Sequence, residues 1–257
     1  MKFFFSAHTD IGTTKTTNQD SCTVKSANSE KYGRILMAVV CDGMGGLSKG
    51  ELASATVMTE FGKWFENTLP VLIENDIINF PLIKDEWSRL ISLMNKKIGD
   101  YGSDHGISLG TTLVACLLIN RKLYVVNVGD SRLYKIADSV SRLTTDHSLV
   151  AQEIANGNLK PEEEETDSRR NVLLQCIGAS NIVKPEFEEY PAENNAVYVL
   201  CSDGFRHEIK EQEMLGLLSP RVIKTEADLN STLKDIIELL KQRGEADNIT
   251  AVSFKII

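Results

Sequence analysis

Apolar residues recur along the chain at two spacings, one typical of helices and one typical of strands. Four segments repeat every three or four residues, which predicts amphipathic helices. They are a stripe of Leu52, Ala55, Met58, Phe61 and Phe65, a stripe of Trp87, Leu90, Ile91, Met94 and Ile98, a stripe of Leu229, Leu233, Ile236, Ile237 and Leu240, and a shorter segment over 148–157.

Residues with known preferences for helix ends bound these segments. Ser48 and Glu51 fit a capping box at the start of the first helix. Gly99 and Gly102 lie near the end of the second, and the basic residues and glycine at 241–244 close the third.

Short runs rich in Val, Ile, Leu and Tyr separate the helices and predict strands. They cover 21–26, 34–41, 112–119, 122–128, 132–137, 171–176, 196–201 and 249–256. Some are joined by two or three polar residues, as at 120–121 and 129–131, which favours hairpins. The helices come in pairs between blocks of strands rather than one after each strand. This order favours antiparallel sheets with helices outside over a doubly wound parallel sheet.

Composition adds the class of chain and its charge. The chain has 257 residues, of which 42% are hydrophobic and 25% charged, with 6 prolines, and this excludes a disordered or collagenous chain. We expect one domain over 1–257, with the glutamate-rich stretch at 157–170 as a surface loop. The net charge of −8 makes nucleic acid a poor partner and raises the possibility that carboxylates are grouped to hold cations.

Cysteine usage and hydropathy limit the compartment. The five cysteines are odd in number and include no C-x-x-C pair, so neither a disulfide framework nor a zinc knuckle is expected. The N-terminus reaches His8 and Asp10 too soon for a signal peptide, and the longest apolar runs fall far short of a membrane span. We therefore expect a cytoplasmic protein with no membrane contact.

Three aspartates share an unusual setting next to predicted buried strands. Asp42 and Asp203 follow such strands and precede glycine, and Asp247 comes directly before the last strand. Each alone is best explained as an ordinary turn residue. Three converging carboxylates would repel one another unless cations lay between them, and oxygen ligands suit Mg²⁺ or Mn²⁺. The set therefore predicts a metal site.

Seven motifs, taken in order, resemble those of the metal-dependent type 2C protein phosphatase family in its bacterial form. The resemblance runs from Thr9 to Thr250, nearly the whole chain. The motifs are Thr9-Asp10-Ile11-Gly12 with Lys15 and Asn18-Gln19-Asp20, Val40-Cys41-Asp42-Gly43-Met44-Gly45-Gly46 with Gly50 and Ala53-Ser54, Ser108-Leu109-Gly110-Thr111-Thr112, Asn127-Val128-Gly129-Asp130-Ser131-Arg132-Leu133-Tyr134, Leu143-Thr144-Thr145-Asp146-His147-Ser148, Cys201-Ser202-Asp203-Gly204-Phe205 and Asp247-Asn248-Ile249-Thr250.

This resemblance implies an α+β fold, a four-layer α-β-β-α sandwich with two central antiparallel sheets flanked by helix pairs. It implies a centre of two Mn²⁺ or Mg²⁺ ions, with a third possible. The residues it implicates are Asp42 as a bridge between both metals, the Gly43 carbonyl as a ligand of one, Asp203 and Asp247 as ligands of the other, Asp20 as the holder of metal-bound water, and Asp130 with Asp203 at the third metal.

The implied activity is hydrolysis of phosphoserine and phosphothreonine in proteins by a water or hydroxide held between two ions. The loop at 157–170 falls where the family carries a flap over its active site. The implied partners are phosphoproteins, including a serine/threonine kinase, and we expect the chain to act as a monomer.

Three positions depart from the better-known family pattern. Lys15 stands where an arginine usually grips the substrate phosphate, and lysine lacks the planar fork of arginine. Gln19 replaces a common glutamate. Met44 stands where eukaryotic members have a histidine and cannot donate a proton, so the leaving group must take its proton from water or another group.

Two rival functions keep the fold and change the role. One is a partner-switching phosphatase that acts on a single phosphoserine regulator. The other is an inactive module that binds phosphoproteins, and the presence of Asp42, Asp203 and Asp247 argues against it. A phosphate-binding loop at the glycine cluster is excluded because no Lys-Ser/Thr pair follows in register.

Overall fold

Two five-stranded antiparallel sheets form the centre of the protein. The computed structural model describes residues 1–45, 49–164 and 166–257. Sheet A contains, in spatial order, β1 (Phe3–Asp10), β12 (Ile249–Ile256), β11 (Val197–Cys201), β8 (Arg132–Ile136) and β9 (Val140–Arg142). Sheet B contains β10 (Glu186–Pro191), β7 (Lys122–Val128), β6 (Leu113–Ile119), β3 (Gly33–Cys41) and β2 (Ser21–Ser29). A small ribbon pairs β4 (Gly43–Gly45) with β5 (Leu109–Thr111).

Helices cover the outer faces of both sheets. On sheet B they are α1 (Gly50–Lys63), which continues through a π-helical turn at Trp64–Thr68 into α2 (Leu69–Glu74), and α3 (Phe80–His105). Two short helices follow, α4 (Leu149–Ala155) and α5 (Asp203–Arg206), and then α6 (Glu211–Leu218) and α7 (Glu226–Gln242), which cover sheet A. A short 3₁₀ turn lies at Pro161–Glu163. In the described part of the chain, no helix is long and apolar enough to cross a membrane.

Three separate layers of apolar side chains hold the sheets and helices together. Met37 and Val39 of β3 belong to the cluster shared with α1 and α3, whereas Leu36 and Ala38 face the space between the sheets. Because successive side chains of a strand point to opposite faces, a strand buried on both sides is apolar throughout. A third cluster joins sheet A to α6 and α7. The predicted four-layer α-β-β-α sandwich is confirmed.

The first helical segment buries Phe61 and Phe65 of the predicted stripe, but Ala53 and Val57 are buried beside them in place of Leu52. Ala53, Val57 and Phe61 are fully buried, whereas Leu52 of the predicted stripe is 39% exposed. The residue before the helix, Lys49, has a φ of 86° and makes no side-chain cap. The predicted cap, Ser48, lies outside the described residues.

The strand prediction is wrong at one place and misses five strands of the described residues. Residues 171–176 form only an isolated bridge between Leu173 and Ser148, with backbone hydrogen bonds to Leu149 and His147 on either side of it. The strands β1, β4, β5, β9 and β10 were not predicted. The most important of these is β1, which pairs with β12 along its whole length and brings the two ends of the chain together.

Candidate metal centre

Aspartates gather at one edge of the two sheets, where several strands begin or end. The side chains of Asp42, Asp130, Asp203 and Asp247 line one cleft of about 350 Å³. Asp42 follows β3, Asp130 lies in the turn between β7 and β8, Asp203 begins α5 after β11, and Asp247 precedes β12. Asp20, directly before β2, is buried at 8% exposure. The cleft therefore draws carboxylates from both sheets.

The backbone around Asp42 is held by two threonines at the junction of β5 and β6. The Asp42 N–H donates a hydrogen bond to Thr112 Oγ1 at 2.9 Å. Its carbonyl oxygen accepts from the Thr112 N–H and from the Thr111 hydroxyl, each at 2.9 Å. These three bonds direct the Asp42 side chain into the cleft without using its carboxylate.

The carboxylates of the cleft disfavour one another's ionised form. Burial raises the pKa of Asp42 well above its usual range, and the charges of Asp20, Asp203, Asp130 and Asp247 raise it further. Removal from water and neighbouring negative charge both disfavour a carboxylate, and a bound cation would reverse both effects. These aspartates are therefore close enough to act together.

Asp20 carries an unsatisfied acceptor. Its Oδ2 accepts a hydrogen bond from the Ser202 hydroxyl at 2.8 Å, whereas its Oδ1 is buried without a hydrogen-bond partner. Burial raises its pKa to about 7, against the hydrogen bonds that lower it. A buried, unpaired carboxylate oxygen is costly, and a water or an ion is its natural partner.

Gly43 occupies a position that only glycine can fill. A Cβ atom there would lie 2.3 Å from the Gly50 carbonyl oxygen and 2.4 Å from that of Gln19. The Gly43 N–H also donates to the Gln19 carbonyl at 3.1 Å. Three segments of backbone therefore meet beside Asp42, and glycine permits the close approach.

Lys15 lies on the wall of the cleft and contacts one of its carboxylates. Its Nζ is 2.8 Å from Asp247 Oδ1, with the two side chains 41% and 38% exposed. Burial works to lower the pKa of Lys15, but the hydrogen bond to Asp247 and the charges of Asp42 and Asp203 outweigh it, so the pKa is raised. Lys15 is thus charged and accessible from solvent.

A histidine that the sequence did not single out joins two of the loops. His207 Nε2 is 3.6 Å from Asp203 Oδ2, and its Nδ1 is 3.4 Å from Glu245 Oε2. Glu245 in turn accepts hydrogen bonds from the N–H groups of Ala246 and Asp247, each at 2.8 Å. The sequence signal for this contact is the four-residue spacing of Asp203 and His207, which brings two side chains together on one face of a helix.

The donor set fits a hard divalent cation. Every candidate ligand is an oxygen, the charges are negative, and Asp20 Oδ1 lacks a partner, which is the chemistry that Mg²⁺ and Mn²⁺ prefer. Within the described ranges, no three His, Cys, Asp or Glu side chains are already gathered around one ion position. The carboxylates therefore share a cleft without forming a ready-made cage.

The structure brings together every residue that the sequence implicated. Lys15, Asp42, Gly43, Asp203 and Asp247 line the cleft, as does Asp130, and Asp20 acts on Asp42 from a buried position. The cleft wall also includes two unpredicted residues that follow the loop at 157–170, namely Asn171 and Leu173. The individual metal-binding roles stay predictions.

Comparison with known proteins agrees with this geometry. Residues 11–251 match the family model described as protein phosphatase 2C. The chain is 31% identical over 249 residues to the serine/threonine phosphatase stp of Listeria innocua, covering 95% of this chain and 92% of the relative.

Two solved structures are similar over almost their whole length. The serine/threonine phosphatase of S. agalactiae is 29% identical, with a TM-score of 0.86 and full coverage of both chains. The catalytic domain of the phosphatase PstP, solved in complex with two manganese ions, is 24% identical, with a TM-score of 0.78. The match covers 99% of this chain and 98% of that one, and at this identity it shows a shared fold only.

Fold, cleft and sequence together define a metal-dependent serine/threonine protein phosphatase that acts on phosphoproteins. The chain belongs to the protein phosphatase 2C family.

Proposed function

We propose that the aspartate cleft is the catalytic centre and that it holds two ions, Mn²⁺ or Mg²⁺. The ligands are the carboxylates of Asp42, Asp203 and Asp247 and the carbonyl of Gly43, and Asp20 holds a water beside them. The observation that carries this proposal is the convergence of these carboxylates on one cleft, where burial and then their mutual charge raise the pKa of Asp42 well above its usual range. Bound there, the ions would activate a water molecule and neutralise phosphoryl oxygens.

The chain's own groups position the substrate and the water. Lys15, at the cleft wall, offers its ammonium group to an outer oxygen of the substrate phosphate. Asp20 Oδ1 is an acceptor aimed at no protein donor, so it can orient a water molecule by accepting a hydrogen bond from it. Met44 lines the same cleft and has no proton to give, so we assign the protonation of the leaving group to water.

The whole chain is proposed to act as one catalytic domain, with the loop at 157–170 as a flap. The pairing of β1 with β12 supports the first point, because both ends of the chain lie in one sheet. The position of Asn171 and Leu173 on the cleft wall supports the second, because they follow the loop directly. We further propose that the substrates include a serine/threonine kinase and that the phosphatase acts as a cytoplasmic monomer.

The experiment that tests the centre replaces Asp203 by asparagine, which keeps the shape of the side chain and removes its charge. Phosphate release from a phosphothreonine peptide is measured at saturating Mn²⁺. We expect kcat to fall by roughly a hundredfold or more, since a charge that neutralises the ions is lost. Asp138→Asn is the matched control, because the Asp138 side chain is 97% exposed. Equal activity of the two variants would refute the assignment.

A further inference from the structure

Asp130 already has a cation beside it, supplied by the chain itself. Arg206 Nη2 lies 3.4 Å from Asp130 Oδ2, and each side chain is 7% exposed. Arg206 ends α5, the short helix that begins with Asp203. The helix therefore brings a cleft carboxylate and a guanidinium to the same place.

Arg206 belongs to a buried chain of alternating charges. Arg206 Nη2 is 3.9 Å from Asp146 Oδ2. The same Asp146 oxygen accepts a hydrogen bond from Arg132 Nη2 at 2.6 Å. Arg132 Nη2 reaches Glu164 Oε1 at 2.5 Å, and Glu164 belongs to the loop at 157–170. The sequence of charges thus runs from Asp130 in the cleft to the flap.

This arrangement disfavours a divalent ion at Asp130. The guanidinium keeps its charge at every accessible pH, so a second cation at the same carboxylate would face it at short range in a site that water reaches poorly. Moving the guanidinium away would break a buried ion pair and disturb its contact with Asp146. Asp130 consequently has a positively charged partner before any metal arrives.

We propose that Arg206 is a built-in cation that takes the place of a third metal ion at Asp130, so that the cleft binds two ions rather than three. The proposal rests on the proposed function, because it concerns the same cleft. It makes Arg206 a positioning residue: it holds Asp130 and, through Asp146 and Arg132, connects the cleft to Glu164 of the flap.

The test counts bound Mn²⁺ by the electron paramagnetic resonance signal of free Mn²⁺ in titrations of the full chain. We expect two ions in the unaltered protein and two in Asp130→Asn, since no ion depends on that carboxylate. Arg206→Gln is expected to bind a third ion, and the double variant Arg206→Gln/Asp130→Asn is expected to return to two. Arg206→Lys, which keeps the charge, is expected to stay at two.

The outcomes separate this proposal from the proposed function. Three ions in the unaltered protein, with one lost in Asp130→Asn, would overturn the proposal and leave the two-ion centre intact. A folded Arg206→Gln that still binds two would also overturn it. No bound Mn²⁺ in the unaltered protein would instead overturn the proposed function. If circular dichroism shows that Arg206→Gln does not fold, the number of Mn²⁺ ions bound by the unaltered protein and by Asp130→Asn still shows whether Asp130 holds an ion.

Discussion

Replacing Lys15 by alanine removes an ammonium group from the wall of the carboxylate cleft. A hydrogen bond to a charged group contributes about 1.5–3 kcal/mol. Because the Lys15 side chain is 41% exposed, solvent screens the interaction, and we take about 1–1.5 kcal/mol as its contribution to phosphate binding. With 1.4 kcal/mol equal to a factor of ten, KM is expected to rise about five- to twelvefold.

The assay is steady-state hydrolysis of a phosphothreonine peptide at saturating Mn²⁺, so that weaker metal binding does not enter KM. We expect kcat to fall by less than KM rises, since the contact exists before the transition state. Lys15→Arg is expected to keep or lower KM, because its fork can form two parallel hydrogen bonds. Lys97→Ala, at a lysine that is 66% exposed and pairs with Glu60 at 3.8 Å, is the control. Unchanged kcat and KM in Lys15→Ala would refute the role of Lys15.

Three further predictions follow from the described contacts. Gly43→Ala is expected to weaken Mn²⁺ binding, measured by calorimetry, and to lower Tm, because its Cβ would overlap two backbone oxygens. Gly216→Ala, whose Cβ would have nothing within 4 Å, should leave Mn²⁺ binding nearly unchanged and Tm unchanged or slightly raised. Equal behaviour of the two variants would contradict the steric argument. In metal-free protein, burial raises the pKa of Asp20 to about 7, so ionising Asp20 destabilises the folded state. Urea denaturation should therefore show the free energy of unfolding falling as pH rises from 5 to 8, with a smaller fall in Asp20→Asn. Parallel curves of unfolding free energy against pH for the two proteins would contradict this. The Trp87 ring is fully buried, with its centroid 5.4 Å from that of Phe61. Trp87→Ala should lower the free energy of unfolding, measured by denaturant titration, by about 3–5 kcal/mol. A loss under about 1 kcal/mol would show that the helix layer is not packed as described.

The sequence pattern predicts most of the central layers because buried strands leave a clear signal. In β3 and β6, both faces are covered, so their apolar runs are continuous and easily recognised. β10 gave no such signal, because it is an edge strand whose residues are only partly buried and include charged ones such as Glu188. The run at 171–176 is largely apolar but pairs only through the single bridge to Ser148, and Val172 and Leu174 are each 47% exposed.

The candidate site could be predicted only as far as local signals reach. Asp42 and Asp203 were recognisable because each ends a buried strand beside glycine. The pair of Arg206 with Asp130 was not, because the two residues are distant in the sequence and meet only when α5 packs beside the turn after β7. The burial of Ala53 and Val57 rather than Leu52 in α1 likewise accompanies the close approach of Gly50 to Gly43, which the spacing of apolar residues does not reveal.

The central claim is that the aspartate cleft catalyses hydrolysis only with divalent ions bound. The most direct measurement is phosphate release from a phosphothreonine peptide by protein stripped with EDTA, assayed before and after Mn²⁺ is restored in excess of the chelator. The account predicts no release above buffer in the stripped protein and full recovery with Mn²⁺, because the converging carboxylates of Asp42, Asp203 and Asp247 hold the ions that neutralise the phosphate. Undiminished release in the presence of chelator would contradict it.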